Sequence, residues 1–242
     1  MIDIYYCHTH QTVLERNNFD PNSSPFITDE LSYDLQPYSK MVNSQLIYHK
    51  CPVWNHKAKR NYIVRSPIDF SITYRRGMTP LPYEAHSKIT SNEQLFFLQD
   101  QHDLEQPVIQ FTAPTVVFWT KERNVWIETK SHPTTAAHNN FTLINGWWNL
   151  SKWVRPISFA AQMVDETKPL EFRRGDPLYE VTFLKENNLN ADFNLIRQYE
   201  VPAHIENQMR QNLNVKIFNP RSNPLHLFTQ QQSKCPFAFL KR

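Results

Sequence analysis

The chain has 242 residues, of which 40% are hydrophobic and 20% are charged, and its formal net charge is +3 at pH 7. This length is enough for one large domain or two small ones with a buried core, and so small a charge makes a nucleic-acid partner unlikely on electrostatic grounds. Residues 1–10 have neither the basic region nor the apolar run that a signal peptide or a membrane span requires, so we expect no membrane partner.

The cysteines favour a reducing compartment over a disulfide framework. Cys7, Cys51 and Cys235 are odd in number, far apart and without a Cys-x-x-Cys pair, which is typical of a cytosolic protein. Cys51 and Cys235 have no histidine or carboxylate at a motif spacing that would activate a thiolate. We therefore expect these two side chains to be small buried groups.

The first quarter of the chain predicts strands separated by polar loops. Residues 2–8 are β-branched and aromatic and predict a first strand. Residues 11–38 are polar with several Asn and Pro and predict a long loop. Residues 45–49 predict a second strand, and residues 51–60 predict a polar, basic loop.

A metal site near the N-terminus is the next hypothesis. Cys7, His8 and His10 lie on the first predicted strand, and together with His49 or His56 they could bind a metal. Such a site needs three or four ligands at set distances, and the sequence has no His-Glu-x-x-His or similar spacing. We therefore expect solvent-exposed strand histidines, and neither a metal nor a cofactor.

The middle of the chain is rich in predicted strands. Residues 62–74 alternate with one break at Pro67, which indicates an edge or bulged strand. A short helix is predicted within residues 91–99, and three further strands are predicted at residues 107–112, 115–120 and 125–130. Residues 121–124 would be the hairpin connection between the last two of these strands.

A tight turn is predicted at residues 173–177. The chain has only three glycines, and a sequence that avoids glycine keeps it where the backbone needs φ > 0. Gly175 lies between residues 170–172 and 178–184, both of which predict strands. Residues 178–184 alternate between apolar and polar side chains, as a half-buried strand requires.

The same unit occurs twice, in residues 62–84 and 152–184. Each copy has the order Val-Arg-(Ser)-Pro-Ile-x-Phe, then an aromatic residue with Arg-Arg-Gly, then Pro-Leu-(Pro)-Tyr-Glu. The second copy is longer by a predicted polar hairpin at residues 164–169. The alternative is that strand–turn–strand units look alike in any β protein. The duplication predicts a mainly β domain at residues 1–185, closing as a small barrel-like sandwich or a related compact form.

The C-terminal part, residues 186–242, predicts a helix and an extended arm. Pro202 fits the first turn of a helix over residues 203–212, with an apolar stripe of Ile205, Met209 and Leu213. Residues 215–242 contain three prolines among apolar residues. This arm would pack on the β domain or on a neighbouring subunit.

Several segments resemble a known enzyme family. Lys130-Ser131, Gly146-Trp147-Trp148-Asn149, Trp153 and residues 175–180 follow one another as do the motifs of the deoxyuridine triphosphatases. That resemblance implies a β-clip fold, usually a trimer with sites between subunits. The whole chain, including Cys51-Pro52, also resembles a family of uncharacterised proteins from tailed phages of marine bacteria. Membership would imply a location in the host cytoplasm or in the virion.

The departures from the enzyme motifs imply that the nucleotidase activity is absent. Asn149 stands where the resemblance places the carboxylate that activates water, and an amide cannot accept that proton. Lys130 replaces the phosphate-binding arginine and so lacks its bidentate fork. His132 replaces a glycine, and Trp153 replaces the tyrosine that packs on the sugar. We therefore predict no catalytic residues.

Three groups of residues are candidate ligand contacts. The first group follows from the resemblance and consists of Lys130, Ser131, Asn149 and Trp153. The second is the pair Arg173 and Arg174, which with Arg75 and Arg76 flank two glycine turns whose amides could bind an anion, or are solvated turn residues. The third is a tryptophan cluster that is either a stacking platform for a base or sugar or part of the core, namely Trp119, Trp126, Trp147, Trp148 and Trp153.

Three functions remain open from the sequence. The first is a non-hydrolytic protein that binds a small ligand, either an anion or a nucleotide, or assembles with itself as a homo-oligomer, with a trimer as one form. The second is a structural or decoration protein of a virion. The third is an enzyme acting on a nucleotide or another small anion through residues that the motifs do not reveal.

Overall fold

The fold is given by a computed structural model, which describes residues 1–9, 35, 37, 38, 50–66, 70–73, 81–82, 96–99, 108–111, 115–157 and 159–213. Several predictions lie outside these residues. They concern the strand at 45–49, nearly all of the loop at 11–38, most of the first repeat including Arg75 and Arg76, the arm at 215–242, and His10, His49 and Cys235.

The described residues form strands and helices that we label in chain order. They are β1 (Ile2–Thr9), α1 (Pro52–Ala58), β2 (Asn61–Arg65), β3 (Phe70–Thr73), β4 (Leu81–Pro82), β5 (Phe96–Gln99), β6 (Val108–Phe111), β7 (Thr115–Trp119), β8 (Val125–Lys130), α2 (Thr135–His138), β9 (Phe141–Leu143), β10 (Gly146–Asn149), β11 (Ala160–Met163), β12 (Leu170–Phe172), β13 (Pro177–Lys185), β14 (Phe193–Arg197) and α3 (Ala203–Leu213). The prediction of a mainly β protein is confirmed.

These strands are arranged in four sheets. Their strand orders are β14-β1-β7, β10-β8-β13-β2, β5-β6-β11-β9 and β12-β3-β4. All pairs are antiparallel except β1 with β14, which run parallel with Ile2 opposite Phe193. Each described sheet has two edge strands, so none of the described sheets closes into a barrel. The β-clip remains a prediction.

All four sheets contribute side chains to one hydrophobic cluster. Its largest fully buried members include Phe111, Phe118, Phe141, Tyr179 and Phe183. Ring contacts connect the sheets within this cluster, for example the edge-to-face pair of Phe118 in β7 and Phe183 in β13, with centroids 5.4 Å apart. Burying these aromatic side chains stabilises the fold, because each removes a large apolar area from water.

Strand β13 is buried on both faces, so the prediction of a half-buried strand was wrong. Tyr179, Val181 and Phe183 are fully buried on one face, and Glu180 and Thr182 are buried on the other. The two polar side chains form hydrogen bonds with side chains of β2 and β8. Because their polar atoms are satisfied inside the protein, these residues do not need contact with solvent.

The predicted hairpin at residues 121–124 was also wrong. β7 pairs with β1, whereas β8 pairs with β10 and β13, so the two strands belong to different sheets. Side chains 116–119 of β7 are all buried, and a strand with two apolar faces must pack against other elements on both faces. These packing partners are distant in sequence, so a local pattern does not reveal them.

Other local predictions need correction. Residues 51–60 contain helix α1 instead of a loop, because Pro52 begins a helix at the position where proline is best tolerated. Residues 62–74 contain two strands, β2 and β3, that belong to different sheets. Residues 164–169 connect β11 and β12, which also lie in different sheets, so they do not form a hairpin. Residues 96–99 are a strand, and the remainder of the helix predicted at 91–99 lies outside the described residues.

Two burial predictions were wrong as well. Cys51 is exposed because it lies at the N-cap of α1 on the surface. His8 is buried, because β1 is the middle strand of its sheet. Cys7 is also buried, and burial raises the pKa of its thiol to about 12. The Cys7 thiol therefore stays protonated near neutral pH and is a poor nucleophile.

The predicted turn at Gly175 is confirmed. The backbone N–H of Asp176 donates to the carbonyl of Arg173 at 2.9 Å, and Gly175 has φ = 92°, as the third residue of a type II turn requires. The N–H of Gly175 donates to the carbonyl of Ser66 at 2.8 Å. This contact joins the turn to the chain that follows β2.

The two repeats pair with each other in the described residues. β2 is antiparallel to β13, and β3 is antiparallel to β12. Their local structures differ where they can be compared, because Val64 lies in β2 whereas Val154 lies outside the strands. The duplication itself remains a prediction, since most of the first copy's turn lies outside the described residues.

The C-terminal helix is confirmed as α3. Its side chains Ile205 and Met209 are buried against Cys7, Val117 and Val154 in a second hydrophobic cluster, while the side chain of Leu213 lies outside the described part. β14 completes the sheet of β1, so the predicted C-terminal part shares a sheet with the first strand. Among the described residues, no helix has the length and apolar character needed to cross a membrane.

Candidate functional site

A cleft of about 320 Å³ lies beside β10 and the segment formed by residues 153–157, 159 and 160. β10 is an edge strand of its sheet, so one side of it is open to this segment. The described lining is mostly apolar and includes three tryptophans, so we call this site the tryptophan cleft. The residues that matter for its chemistry are Ile144, Trp147, Trp148, Trp153, Arg155 and Ala160.

The turn after β10 places Trp153 in the cleft. The side-chain Oδ1 of Asn149 accepts the N–H of Ser151 at 3.0 Å, and the Asn149 carbonyl accepts the N–H of Trp153 at 3.0 Å. Asparagine favours such turns because its side chain mimics a backbone carbonyl. The Trp153 ring then meets the Trp148 ring edge to face, with centroids 5.9 Å apart.

Gly146 allows β10 to approach β8 closely at the cleft wall. A Cβ at this position would lie 3.2 Å from both the Thr129 hydroxyl and the Trp148 ring. The N–H of Gly146 donates to the Thr129 Oγ1 at 2.9 Å. Any larger residue would therefore push Thr129 or Trp148 away and change the shape of the cleft.

Trp147 is the exposed aromatic residue of the cleft. Its side chain is 61% exposed, and its ring stacks on Trp126 with centroids 4.5 Å apart. Ile144, which also lines the cleft, is 48% exposed. Large apolar side chains that are exposed next to one another are a common feature of binding surfaces.

Arg155 gives the cleft a positive charge. Its guanidinium carbon lies 5.0 Å from the centroid of the Trp153 ring, over its face. This distance is within the range of a cation–π interaction. The other described lining residues are uncharged.

Lys130 and Ser131 lie outside the described lining of the cleft and form contacts with other strands. The Lys130 ammonium is 3.3 Å from Glu180 Oε2 and donates to the Thr182 hydroxyl. Burial lowers the pKa of Lys130 and raises the pKa of Glu180, and in each case the partner's charge opposes the shift. Ser131 Oγ accepts the N–H of Leu143 at 2.6 Å. These contacts hold strands together.

Asn149 is fully buried and does not line the cleft. Its Oδ1 forms the turn described above, and its Nδ2 is buried without a hydrogen-bond partner among the described residues. His132, a further departure from the enzyme motif, is also buried. Burial and the nearby charge of Arg65 lower the pKa of His132 to about 4, so the imidazole is neutral at pH 7.

Arg173 and Arg174 are exposed in the type II turn. The N–H of Arg173 donates to Asp176 Oδ2 at 2.9 Å, and the amides of Gly175 and Asp176 donate to backbone carbonyls. These three amides already have partners inside the protein, and a carboxylate lies at the position where an external anion was predicted. An anion at this turn would have to compete with Asp176.

Of the first two groups of candidate ligand residues, the structure therefore brings only Trp153 into the described lining of the cleft. The tryptophan cluster predicted the cleft better than the enzyme motifs did, because Trp147, Trp148 and Trp153 all line it. Trp126 stacks on Trp147 but does not itself line the cleft. Trp119 lies in the second hydrophobic cluster. Among the described residues, no group of three or more His, Cys, Asp or Glu side chains could hold a metal ion.

Arg155 was missed as a site residue. In the sequence it belongs to the Val-Arg-Pro pattern of the second repeat, and nothing nearby in the sequence indicates that its guanidinium stacks on Trp153. The sequence feature that could have identified Arg155 is its position two residues after Trp153, the last of the three tryptophans. Comparison of the sequence with protein-family models and with curated proteins finds no match.

Proposed function

We propose that the protein binds a small ligand with a flat ring in the tryptophan cleft and does not hydrolyse nucleotides. The observation that carries this proposal is the convergence of Trp147, Trp148 and Trp153 on one cleft of about 320 Å³. Ligand sites in proteins are typically concave, largely apolar and about 300–1,000 Å³ in volume. The cleft is at the lower end of this range, which suits a ligand of one or two rings.

The exposure of Trp147 supports the same proposal. An indole that is 61% exposed keeps much of its apolar area in water, which is unfavourable unless another group covers it. Stacking a ring on an aromatic side chain contributes about 1–3 kcal/mol in single-stranded nucleic-acid complexes. A ring inserted next to Trp147 would gain both terms.

The absence of hydrolysis in the proposal rests on Asn149. The residue at the position of the enzyme family's carboxylate is an amide, it is fully buried, and it lies outside the described lining. A general base must lie within hydrogen-bond reach of the proton that it accepts. The residue would fail this requirement even if it were ionisable.

The test of the proposal is calorimetric titration with nucleosides, nucleotides, indole compounds and monosaccharides, using wild type and Trp147→Ala. We expect at least one ring compound to bind and Trp147→Ala to weaken it about fivefold to a hundredfold, the range that stacking energies imply. Tyr199→Ala is the matched control, because Tyr199 is 60% exposed and lies outside the cleft. Equal affinity of wild type and Trp147→Ala for every ligand that binds would contradict the proposal.

Self-assembly is a second candidate, and it includes a structural role in a virion. Ile144 and Trp147 are exposed beside the edge strand β10, and an exposed edge with apolar side chains favours pairing with another copy. Sedimentation velocity would show a dimer or trimer that dissociates in Ile144→Glu but persists in Leu189→Glu, a control at a residue 72% exposed. A monomer at all protein concentrations would exclude this candidate, and mass spectrometry of purified particles would test the virion location.

A further inference from the structure

Two stacked indoles and a carboxylate share one face of the sheet β10-β8-β13-β2. Trp126 and Glu128 alternate along β8 and are both half-buried, so their side chains point to the same face. Trp147 of β10 lies directly opposite Glu128 in the antiparallel register, and its ring stacks on Trp126 with centroids 4.5 Å apart. Directly opposed side chains are neighbours on one face of a sheet. Glu128 therefore lies beside the indoles, and we call these three residues the indole–carboxylate cluster.

This cluster points away from the interior of the tryptophan cleft. Trp148, the next residue of β10, lies opposite Ile127, which is buried in the core. Trp153 packs on Trp148, and the guanidinium of Arg155 lies over Trp153. Consecutive residues of a strand point to opposite faces of the sheet. The cation packed beyond Trp148 is therefore on the core side, whereas Glu128 points to the other side.

The Glu128 carboxylate has no ion pair or hydrogen bond within the part of the chain that the structure describes. Lys130, the next side chain along β8 on this face, lies 3.3 Å from Glu180 Oε2 and donates to the Thr182 hydroxyl at 3.3 Å. Thr182, which is opposite Glu128 on β13, donates to Asn61 Oδ1 at 2.6 Å. A half-buried carboxylate is only partly hydrated, so a cation that approaches from outside would stabilise it.

The Trp147 indole is the accessible aromatic surface of the cluster. Trp126 covers one face of its ring, and most of the Trp147 side chain is exposed. Tryptophan attracts cations more strongly than the other aromatic residues, because the face of its ring is negative. A guanidinium can stack on such a face while its in-plane N–H groups donate to a nearby carboxylate. Trp147 and Glu128 offer these two contacts side by side.

We propose that the indole–carboxylate cluster binds an organic cation, a guanidinium or an ammonium group. The cation stacks on Trp147, which Trp126 holds in place, and donates charge-assisted hydrogen bonds to Glu128. This site goes beyond the proposed function, because Glu128 lies outside the described lining of the tryptophan cleft. The two sites share Trp147, so Glu128 is the residue that distinguishes them.

The test compares cations with neutral analogues of similar shape. One pair of probes is N-acetylargininamide and N-acetylcitrullinamide, and the other is N-acetyllysinamide and its Nε-acetylated form. Binding is followed through the NMR signals of the indole N–H groups, each identified by its loss in the corresponding Trp→Phe variant. Wild type should bind the cation of at least one pair about tenfold more tightly than its analogue. The signals of Trp126 and Trp147 should shift, whereas the signal of Trp119, buried in the second hydrophobic cluster, should not.

Three variants complete the experiment. Glu128→Gln keeps the shape but removes the charge, and it should reduce the preference to about twofold or less. Trp147→Ala should weaken binding of the cation about threefold or more. Glu171→Gln is the matched control, because Glu171 is an exposed glutamate in the middle of β12, outside the cluster. It should leave the preference unchanged.

The outcomes separate this site from the proposed function. Equal affinity of wild type for both members of each pair overturns the proposal, and so does a preference that persists in Glu128→Gln. A preference that depends on Glu128 supports the site even if no ring compound binds in the cleft, and only the proposed function then fails. If thermal unfolding shows that Glu128→Gln has not folded, the wild-type signals decide. A preference for the cation with shifts at Trp126 and Trp147 supports the site, and shifts elsewhere overturn it.

Discussion

At the scale of single residues, the sequence does not show which polar side chains are buried, and their burial determines their roles. The turn at Gly175 could be predicted, because a chain with three glycines keeps them where φ must be positive. The role of Asn149 could not be predicted, because an asparagine in a motif looks the same whether it is exposed at a site or buried in a turn. Only the structure shows which is the case, because Asn149 is fully buried and its Oδ1 accepts the N–H of Ser151.

Asn149→Asp tests the structural role of this residue. The aspartate would keep the turn acceptor but place a carboxylate where the side chain is fully buried. An uncompensated buried charge costs about 3–5 kcal/mol, so we expect a large loss of unfolding free energy at pH 7 and no hydrolysis of deoxynucleotides. Asn188→Asp is the control, since exposed Asn188 forms the same kind of turn with Asn190 at 3.2 Å. A stable Asn149→Asp variant that hydrolyses a nucleotide would refute this assignment.

The pair Lys130 and Glu180 gives a second residue-scale prediction. Their side chains are only 18% and 5% exposed, so Lys130→Met leaves Glu180 buried without its cation and should cost about 3–5 kcal/mol at pH 7. Denaturant unfolding measures this loss. The double variant Lys130→Met/Glu180→Gln should lose less than the sum of the single variants. Lys168→Met, at the exposed pair with Asp165, should change stability little.

The pH dependence of Lys130→Met follows from the carboxyl group that remains. Burial raises the pKa of Glu180 above its usual value of 4.5, and removal of the ammonium raises it further. The folded state then binds more protons than the unfolded chain, so the stability of the variant falls as the pH rises through this range. The deficit relative to wild type should be smaller at pH 4 than at pH 7. A deficit that is equal at both pH values would show that Glu180 is not the group responsible.

At the scale of elements, the positions of many strands could be predicted but their pairing could not. Alternation and β-branched residues located β1, β8 and β13, because these signals are local. β7 and β8 were expected to pair and do not, because β7 pairs with β1 at the start of the chain. Helix α1 was hidden by its polar and basic composition, and only Pro52 marked its start.

Helix α3 should influence the cleft through Asn212. The Asn212 side chain donates to the carbonyl of Val154, which precedes Arg155, so Asn212→Ala leaves a buried carbonyl without this bond. We expect a loss of about 1–3 kcal/mol in unfolding free energy and weaker binding of ring compounds in the cleft, because Val154 also follows Trp153. Gln211→Ala on the exposed face of the same helix is the control. The coupling between helix and cleft is absent if Asn212→Ala lowers stability but binds every ring compound like wild type.

At the scale of the whole molecule, the structure depends on contacts between distant segments. β1 pairs with β14 across nearly two hundred residues, with Tyr6 opposite Arg197, and all four sheets share one hydrophobic cluster. The mainly β class could be predicted, since it follows from composition and alternation. The cleft could not be predicted, because it forms between β10 and residues 153–157, 159 and 160 only when the sheets pack together.

The central claim is that the tryptophan cleft is a binding site, and Ala160→Leu tests it most directly. Ala160 lines the cleft, so a larger side chain fills space without removing any aromatic wall. Calorimetric titration of the ring compound that binds wild type most tightly should show about a tenfold loss of affinity or more in Ala160→Leu, because the leucine occupies volume that the ligand needs. The thermal unfolding midpoint should stay close to that of wild type, because the added side chain enters an open cleft. Undiminished affinity in a folded Ala160→Leu variant would show that the ligand binds elsewhere and would contradict the account.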